Sequence, residues 1–201
     1  MSHPWTLAEA EHKPLQLATA QRAGFIVPAT LITNRVEDAR AFAVQHGPII
    51  YKPLRSTSYV DPNGDLCTIW TTLVDPAELD ETVNHTAHLF QAYVTKHADL
   101  RVTVVGERVF CVQIDSDLLD WRADYDRLTY RVVDPPSGLG ERCMTYLRCC
   151  DLRFGAFDFA LTEDGPVFLE CNPNGQWGWL EDQTGLPIAR AVADLLLEDS
   201  S

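Results

Sequence analysis

The stretch Arg153-Phe154-Gly155-Ala156-Phe157-Asp158-Phe159-Ala160-Leu161-Thr162 is followed by Glu163-Asp164-Gly165 and then by Pro166-Val167-Phe168-Leu169-Glu170-Cys171-Asn172-Pro173-Asn174-Gly175-Gln176-Trp177-Gly178-Trp179. Two apolar runs rich in aromatic residues, separated by turn residues, predict a β-hairpin with strands over Phe154–Thr162 and Val167–Asn172. Side chains alternate along a strand, so Glu170 and Asn172 share a face and Cys171 takes the other. Asp158 joins that face only if the pairing register has an even sum. A three-residue loop with Gly165 in the left-handed position gives that register and sets Asp158 opposite Glu170. A two-residue Asp164-Gly165 turn would put Asp158 beside Cys171 instead. The three-residue loop is the expectation.

Asp158, Glu170 and Asn172 on one face would offer two carboxylates and an amide carbonyl, a set of hard oxygen donors. Like charges that close repel unless a cation lies between them, and magnesium suits such a set because it keeps water and phosphate oxygens as its other ligands. The plain alternative is a solvated polar face at a sheet edge. For an isolated Asp/Glu pair that is the commoner meaning.

Outward from the hairpin, the pattern is interleaved. A leader over residues 1–12 precedes a helix from Pro14 to Ala23, stopped at Gly24. A short strand around Thr30–Ile32 follows, then a helix from Arg35 to Gln45 with Asn34 as its cap. Strands are expected over Ile49–Leu54 and Leu66–Thr72, a helical connector over Pro76–Asn84, and an extended segment over Phe90–Val94. Gly106-Glu107 joins strands Arg101–Val105 and Arg108–Ile114. Strand Thr129–Val133, helix Leu139–Cys150, the carboxylate hairpin and a closing helix Gly185–Leu197 complete the chain. Hairpins mixed with helices indicate an α+β fold rather than a doubly wound parallel sheet.

Bulk properties exclude several classes. The 201 residues are 46% hydrophobic and 22% charged, and the formal net charge is −13. An acidic chain lacks the basic stripe that a broad nucleic-acid surface needs, whereas a nucleotide site needs only a few local cations. No apolar run reaches the roughly 18 residues of a membrane span, and the start MSHPWTLAEAEHK is unlike a secretory signal. The six cysteines show no metal-ligand or disulfide spacing, which points to reduced thiols in a cytoplasmic protein.

The run Leu169-Glu170-Cys171-Asn172-Pro173-Asn174-Gly175-Gln176-Trp177 resembles the metal-binding end of ATP-grasp ligases, where one strand carries Glu-x-Asn and an upstream strand carries an Asp. The Asn-Pro-Asn-Gly-Gln-Trp continuation resembles more narrowly the ligases that mature ribosomally made peptides, the graspetide (microviridin-type) macrocyclases. A weaker likeness extends to ribosomal-protein glutamate ligases and glutathione synthetases. The resemblance spans about residues 13–198. It implies two α+β lobes with antiparallel sheets clamping ATP and Mg²⁺, about 13–90 and 91–198, with the N-terminal pre-grasp lobe absent and a tail at 199–201.

Residue by residue, the resemblance makes Lys13 the first ATP-binding lysine and Lys52 the strand lysine that reaches the phosphates. Ala92 and Tyr93, in Phe90-Gln91-Ala92-Tyr93-Val94, fall on the adenine hinge, where backbone groups do the binding. Asp99 would bind ribose hydroxyls, and Arg101 would face the reacting carboxylate. Arg122 would stabilise the transferring phosphoryl group, with Asp124 standing where relatives have asparagine. Asp158, Glu170 and Asn172 would be the metal ligands.

The activity implied is an ATP-dependent ligase forming side-chain ester or amide bonds in a precursor peptide through an acyl phosphate. Two other readings stay open: a module that binds ATP or a leader peptide for a partner chain supplying the absent lobe, and a glutamate or dipeptide ligase. As bare residues, Asp99 could serve a turn, Asp124 could start a helix, and Trp177 and Trp179 could simply pack.

Overall fold

The computed structural model describes residues 2–55 and 58–198. In chain order it contains α1 (Pro4–Ala10), α2 (Lys13–Arg22), β1 (Thr30–Thr33), α3 (Val36–His46), β2 (Ile49–Lys52), β3 (Ser58–Val60), β4 (Leu66–Thr68), β5 (Thr72–Leu73) and β6 (His88–Ala92). It continues with β7 (Ala98–Val105), β8 (Arg108–Asp115), β9 (Thr129–Val132), α4 (Leu139–Cys149), β10 (Phe154–Thr162), β11 (Gly165–Asn172), α5 (Gly178–Thr184) and α6 (Ile188–Glu198). The chain divides into two compact units, one from 1–27, 95–117 and 124–201, the other from 28–94 and 118–123. Both are α+β with antiparallel sheets, as the sequence pattern requires.

In the larger unit the strand order is β11-β10-β7-β8-β9. Alternation along β7 and β10 sends Leu100, Val102, Val104, Phe157 and Phe159 to one face, where they pack with Phe168, Cys171 and the buried sides of α2 and α4. Phe25 stacks on Phe168 with ring centroids 5.6 Å apart and meets Phe159 edge-on at 5.2 Å. Such pairs add about 0.5–1.5 kcal/mol beyond the area they bury. Across the sheet, the same alternation leaves Arg101, Asp158 and Glu170 in one cross-strand row. Helix α6 packs on β7 and α5 on β9.

The smaller unit has a four-stranded sheet, β1-β6-β2-β5, with α3 buried on it through Val36, Ala39 and Ala43. A separate hairpin, β3–β4, accompanies the sheet.

Several expectations shift. Residues 4–10 of the expected leader form α1, begun by Pro4 and capped by His3. Helix α2 belongs with the larger unit, so the smaller one starts at 28 rather than 13, while a boundary between 94 and 95 lies close to residue 90. Asn34 does not cap α3. Thr33 Oγ1 accepts from Arg35 N–H, and Asn84 Oδ1 accepts from Val36 N–H, so a distant residue supplies the cap. The connector 76–84 is two short 3-10 turns, started by the Asp75 and Asp80 side chains. The strand expected over 66–72 breaks into β4 and β5. The closing helix expected over Gly185–Leu197 is α6, preceded by a helix the sequence reading did not expect, α5, which Gly185 ends at φ 71°. The expected tail 199–201 lies outside the described residues.

All six cysteines are free thiols. Burial pushes the Cys111 thiol up to about 12, with the Asp134 carboxylate adding to the shift. The buried Cys111, Cys143 and Cys171 behave as small hydrophobes. No helix of the described residues is long and apolar enough to cross a membrane.

Candidate magnesium site

The carboxylate hairpin reaches the expected pairing by an unexpected route. The loop is the two-residue Glu163-Asp164, closed between Thr162 and Gly165, and Gly165 has a φ of 113°. That loop gives an odd register, with Phe159 opposite Phe168. Between Phe159 and Asp158 the register shifts by one, Leu169 is passed over, and Asp158 pairs with Glu170. The reason is packing. Phe168 is fully buried in the core, while Glu170 lies in the polar row, yet the two are separated by an even number of residues. Alternation must therefore break once between them, and a β-bulge does this. The bulge, rather than a three-residue loop, puts Asp158 and Glu170 side by side.

Asn172 completes the group. Its Nδ2 donates to Asp158 Oδ2 and to Glu170 Oε1, both at 3.3 Å, so the three side chains converge on one point. The amide turned the other way would bring its carbonyl oxygen to the same point, and the two senses are a matter of assignment. The donor set then becomes all-oxygen, which fits a hard divalent cation. Among the described residues no cluster of three or more His, Cys, Asp or Glu side chains is arranged to hold a metal. The set here has two carboxylates, and the third donor is an amide. Cys171 stays out of it. Its thiol is wholly buried on the core face, and burial holds it neutral, well above the usual thiol range.

Each carboxylate already has a cation from the chain. Arg101 Nη1 donates to both Asp158 oxygens, at 2.9 and 2.8 Å, and its Nη2 donates to the Gln176 carbonyl at 3.1 Å. Both partners are buried. Lys13, the first residue of α2, places Nζ 2.6 Å from Glu170 Oε2. Two acids held this close are thus balanced by two bases, with Asn172 between them.

The loop after β11 fits closely over this group. A Cβ on Gly175 would lie 2.4 Å from the Ala156 Cβ and 3.1 Å from the Asn172 carbonyl oxygen. Neither atom is the end of a flexible side chain, so the loop would have to move. Gly175→Ala is expected to cost about 1–3 kcal/mol, the usual range for overpacking, and to loosen the Gln176 carbonyl from Arg101. A denaturant titration measures this, and an unchanged midpoint would contradict it.

The other expected residues are more dispersed. Asp99 is buried in β7 and pairs with Lys96 at 2.6 Å. Asp124 accepts from Asp126 N–H and caps a 3-10 turn, as a turn-starting acid does. Arg122, in the smaller unit, is bound to the Asp120 carboxylate through Nε at 3.0 Å and Nη2 at 3.3 Å. Lys52 ends β2. The N–H groups of Ala92 and Tyr93 donate to the Ala29 and Pro48 carbonyls, each at 2.9 Å, so the donors expected at the hinge are used within that unit. Trp177 starts α5, and Trp179 packs between Tyr125 and Tyr130. The residue that sequence reasoning passed over is Gln16, buried in α2 and bound to the backbone of Cys171 on both sides. A polar residue between Leu15 and Leu17 was its only signal.

The chain matches no protein-family model and no curated protein. Solved structures do match. A RiPP-associated ATP-grasp ligase from Chryseobacterium gregarium, in complex with ADP and a leader and core peptide, superposes with a TM-score of 0.90 at 28% identity, over 98% of this chain and 62% of that one. Macrocyclase MdnC from Microcystis aeruginosa, bound with the precursor peptide MdnA, gives 0.86 at 30% identity, over 96% of this chain and 63% of that one. The ATP-grasp ligase PsnB, complexed with a precursor variant, Mg and ADP, gives 0.78 at 24% identity over 98% and 61%, a likeness that speaks for the fold alone. This chain spans a little over three-fifths of the structures it matches. It has the ATP-grasp ligase fold, and the structures it superposes on at TM-scores of 0.86 and 0.90 are a macrocyclase and a RiPP-associated ligase.

Proposed function

We propose that the chain is the nucleotide- and metal-binding part of an ATP-dependent ligase that joins side chains within a precursor peptide. The convergence of Asp158, Glu170 and Asn172 carries this reading. Magnesium, when bound there, would neutralise phosphate charge and help align the γ-phosphate with the substrate carboxylate.

The chain's own residues have distinct tasks in this reading. Arg101 holds Asp158 in place from the neighbouring strand and adds positive charge where the phosphoryl group transfers. Lys13 balances Glu170 until a phosphate shares its charge. Asp99, fixed by Lys96, is offered to the ribose, and Asp124 enters as a nucleotide contact by resemblance. Lys52, Ala92, Tyr93 and Arg122 belong to the smaller unit and enter as nucleotide contacts by resemblance. A carboxylate oxygen of the peptide attacks the γ-phosphorus, and ADP leaves. A hydroxyl or amine then attacks the acyl phosphate carbonyl, loses its proton, and expels phosphate. The free thiols suit a reducing, cytoplasmic setting.

Incubation with Mg·ATP and a precursor peptide should give a product lighter by one water per bond formed, read by mass spectrometry. ADP release with free amino acids and no peptide would move the assignment to an amino-acid or dipeptide ligase. Nucleotide binding without ADP release would leave a binding module as the reading.

A further inference from the structure

The side chain of Gln16 lies in α2 and is 3% exposed. Its amide is fully used. Nε2 donates to the Ala10 carbonyl and to the Cys171 carbonyl, each at 2.8 Å, and Oε1 accepts from Cys171 N–H at 3.1 Å. Strand β11 is the edge of its sheet, so the N–H and C=O of Cys171 would otherwise face outward with no neighbouring strand. Gln16 supplies the missing partner with one primary amide, making the two bonds that a paired strand residue would make.

The peptide it grips is the one between Glu170 and Asn172. Three residues earlier on the same helix face, Lys13 reaches Glu170 itself. The first turn of α2 therefore reads β11 twice, through its backbone and through its carboxylate. The bulge at Leu169 interrupts the ladder immediately before Glu170, where pairing with β10 resumes through Asn172, and Gln16 adds a second hold on the outer side of that short run.

We infer that Gln16 is a positioning residue for the metal site, fixing the backbone at Cys171 so that Glu170 and Asn172 meet Asp158. This rests on the magnesium reading of that site. Groups that orient ligands in this way typically change metal affinity by 10–100-fold when removed.

The test is Gln16→Met, which keeps the volume and removes the hydrogen bonds. Mg²⁺ is titrated into the full chain in the presence of a fixed excess of ADP, by calorimetry, and hydrogen exchange is followed at the Cys171 amide. The apparent Mg²⁺ affinity should fall roughly 10–100-fold, exchange at Cys171 should accelerate, and ADP affinity without metal should stay the same. Ala20→Gly, on the same helix and also buried, serves as the control for general loosening and should leave Mg²⁺ affinity unchanged. Equal losses in both variants would overturn the inference, as would wild-type Mg²⁺ affinity in Gln16→Met. If Gln16→Met does not fold, Gln16→Glu, which keeps one acceptor, is read against the same control and the same outcomes. A failure of the underlying site looks different: the wild type itself would then show no Mg²⁺ binding that depends on Glu170.

Discussion

Asp158→Ala should lower the unfolding free energy by about 3–5 kcal/mol, the usual cost of removing one member of a buried ion pair. The Arg101 side chain is 4% exposed and that of Asp158 is 2% exposed, so water offers little compensation for the lost carboxylate. Arg101 would keep the Gln176 carbonyl, a neutral acceptor that does not balance a charge. Asn172 would lose a contact as well. The double variant Arg101→Met/Asp158→Leu should recover much of the loss, because it removes both charges and fills the space. Urea unfolding of the three proteins measures this. A single variant within about 0.5 kcal/mol of wild type, the range of an ordinary surface change, would show that the pair is not closed off from solvent.

Glu170→Ala should behave in the opposite way, with a small effect on folding and a large one on chemistry. The Lys13–Glu170 pair retains side-chain exposures of 20% and 13%, so the freed ammonium can turn toward water. In the proposed site, losing one of the converging carboxylates would remove charge expected to hold the metal and, through it, the phosphates. ADP formation should drop on the order of 10²–10³-fold, the scale seen when one preorganised electrostatic contact is deleted. A coupled assay of ADP release reports it, with circular dichroism confirming that the fold persists. An activity loss below about threefold would place the reacting phosphate elsewhere.

These two carboxylates also show what could be read before the structure. Strand positions around them follow from alternation, and the Asp158–Glu170 pairing was legible only as one of two registers, the even one expected from a three-residue loop. The route to that pairing was not. A one-residue bulge and a change of loop length have the same effect on register, and only the burial of Phe168 tells them apart. The ends of elements were harder for a similar reason. The cap of α3 comes from Asn84, far along the chain, and no local pattern announces it. Gln16 escaped notice because its value lies in an edge strand that the sequence of α2 does not mention. Asp124 and Asp99 looked alike as acids near a resemblance, yet one caps a turn and the other is buried against Lys96.

The most direct test is the thermal midpoint of the full chain with and without Mg·ATP, for the wild type and for Glu170→Ala. Ligand at about a hundred times its Kd adds roughly 2.7 kcal/mol, or a rise of roughly 5–10 °C for a chain of this size. The wild type should show that rise, ATP with chelator should give less, and Glu170→Ala should lose the metal-dependent part. A midpoint that ignores Mg·ATP, or a rise that survives intact in Glu170→Ala, would contradict a magnesium-nucleotide site at Asp158, Glu170 and Asn172.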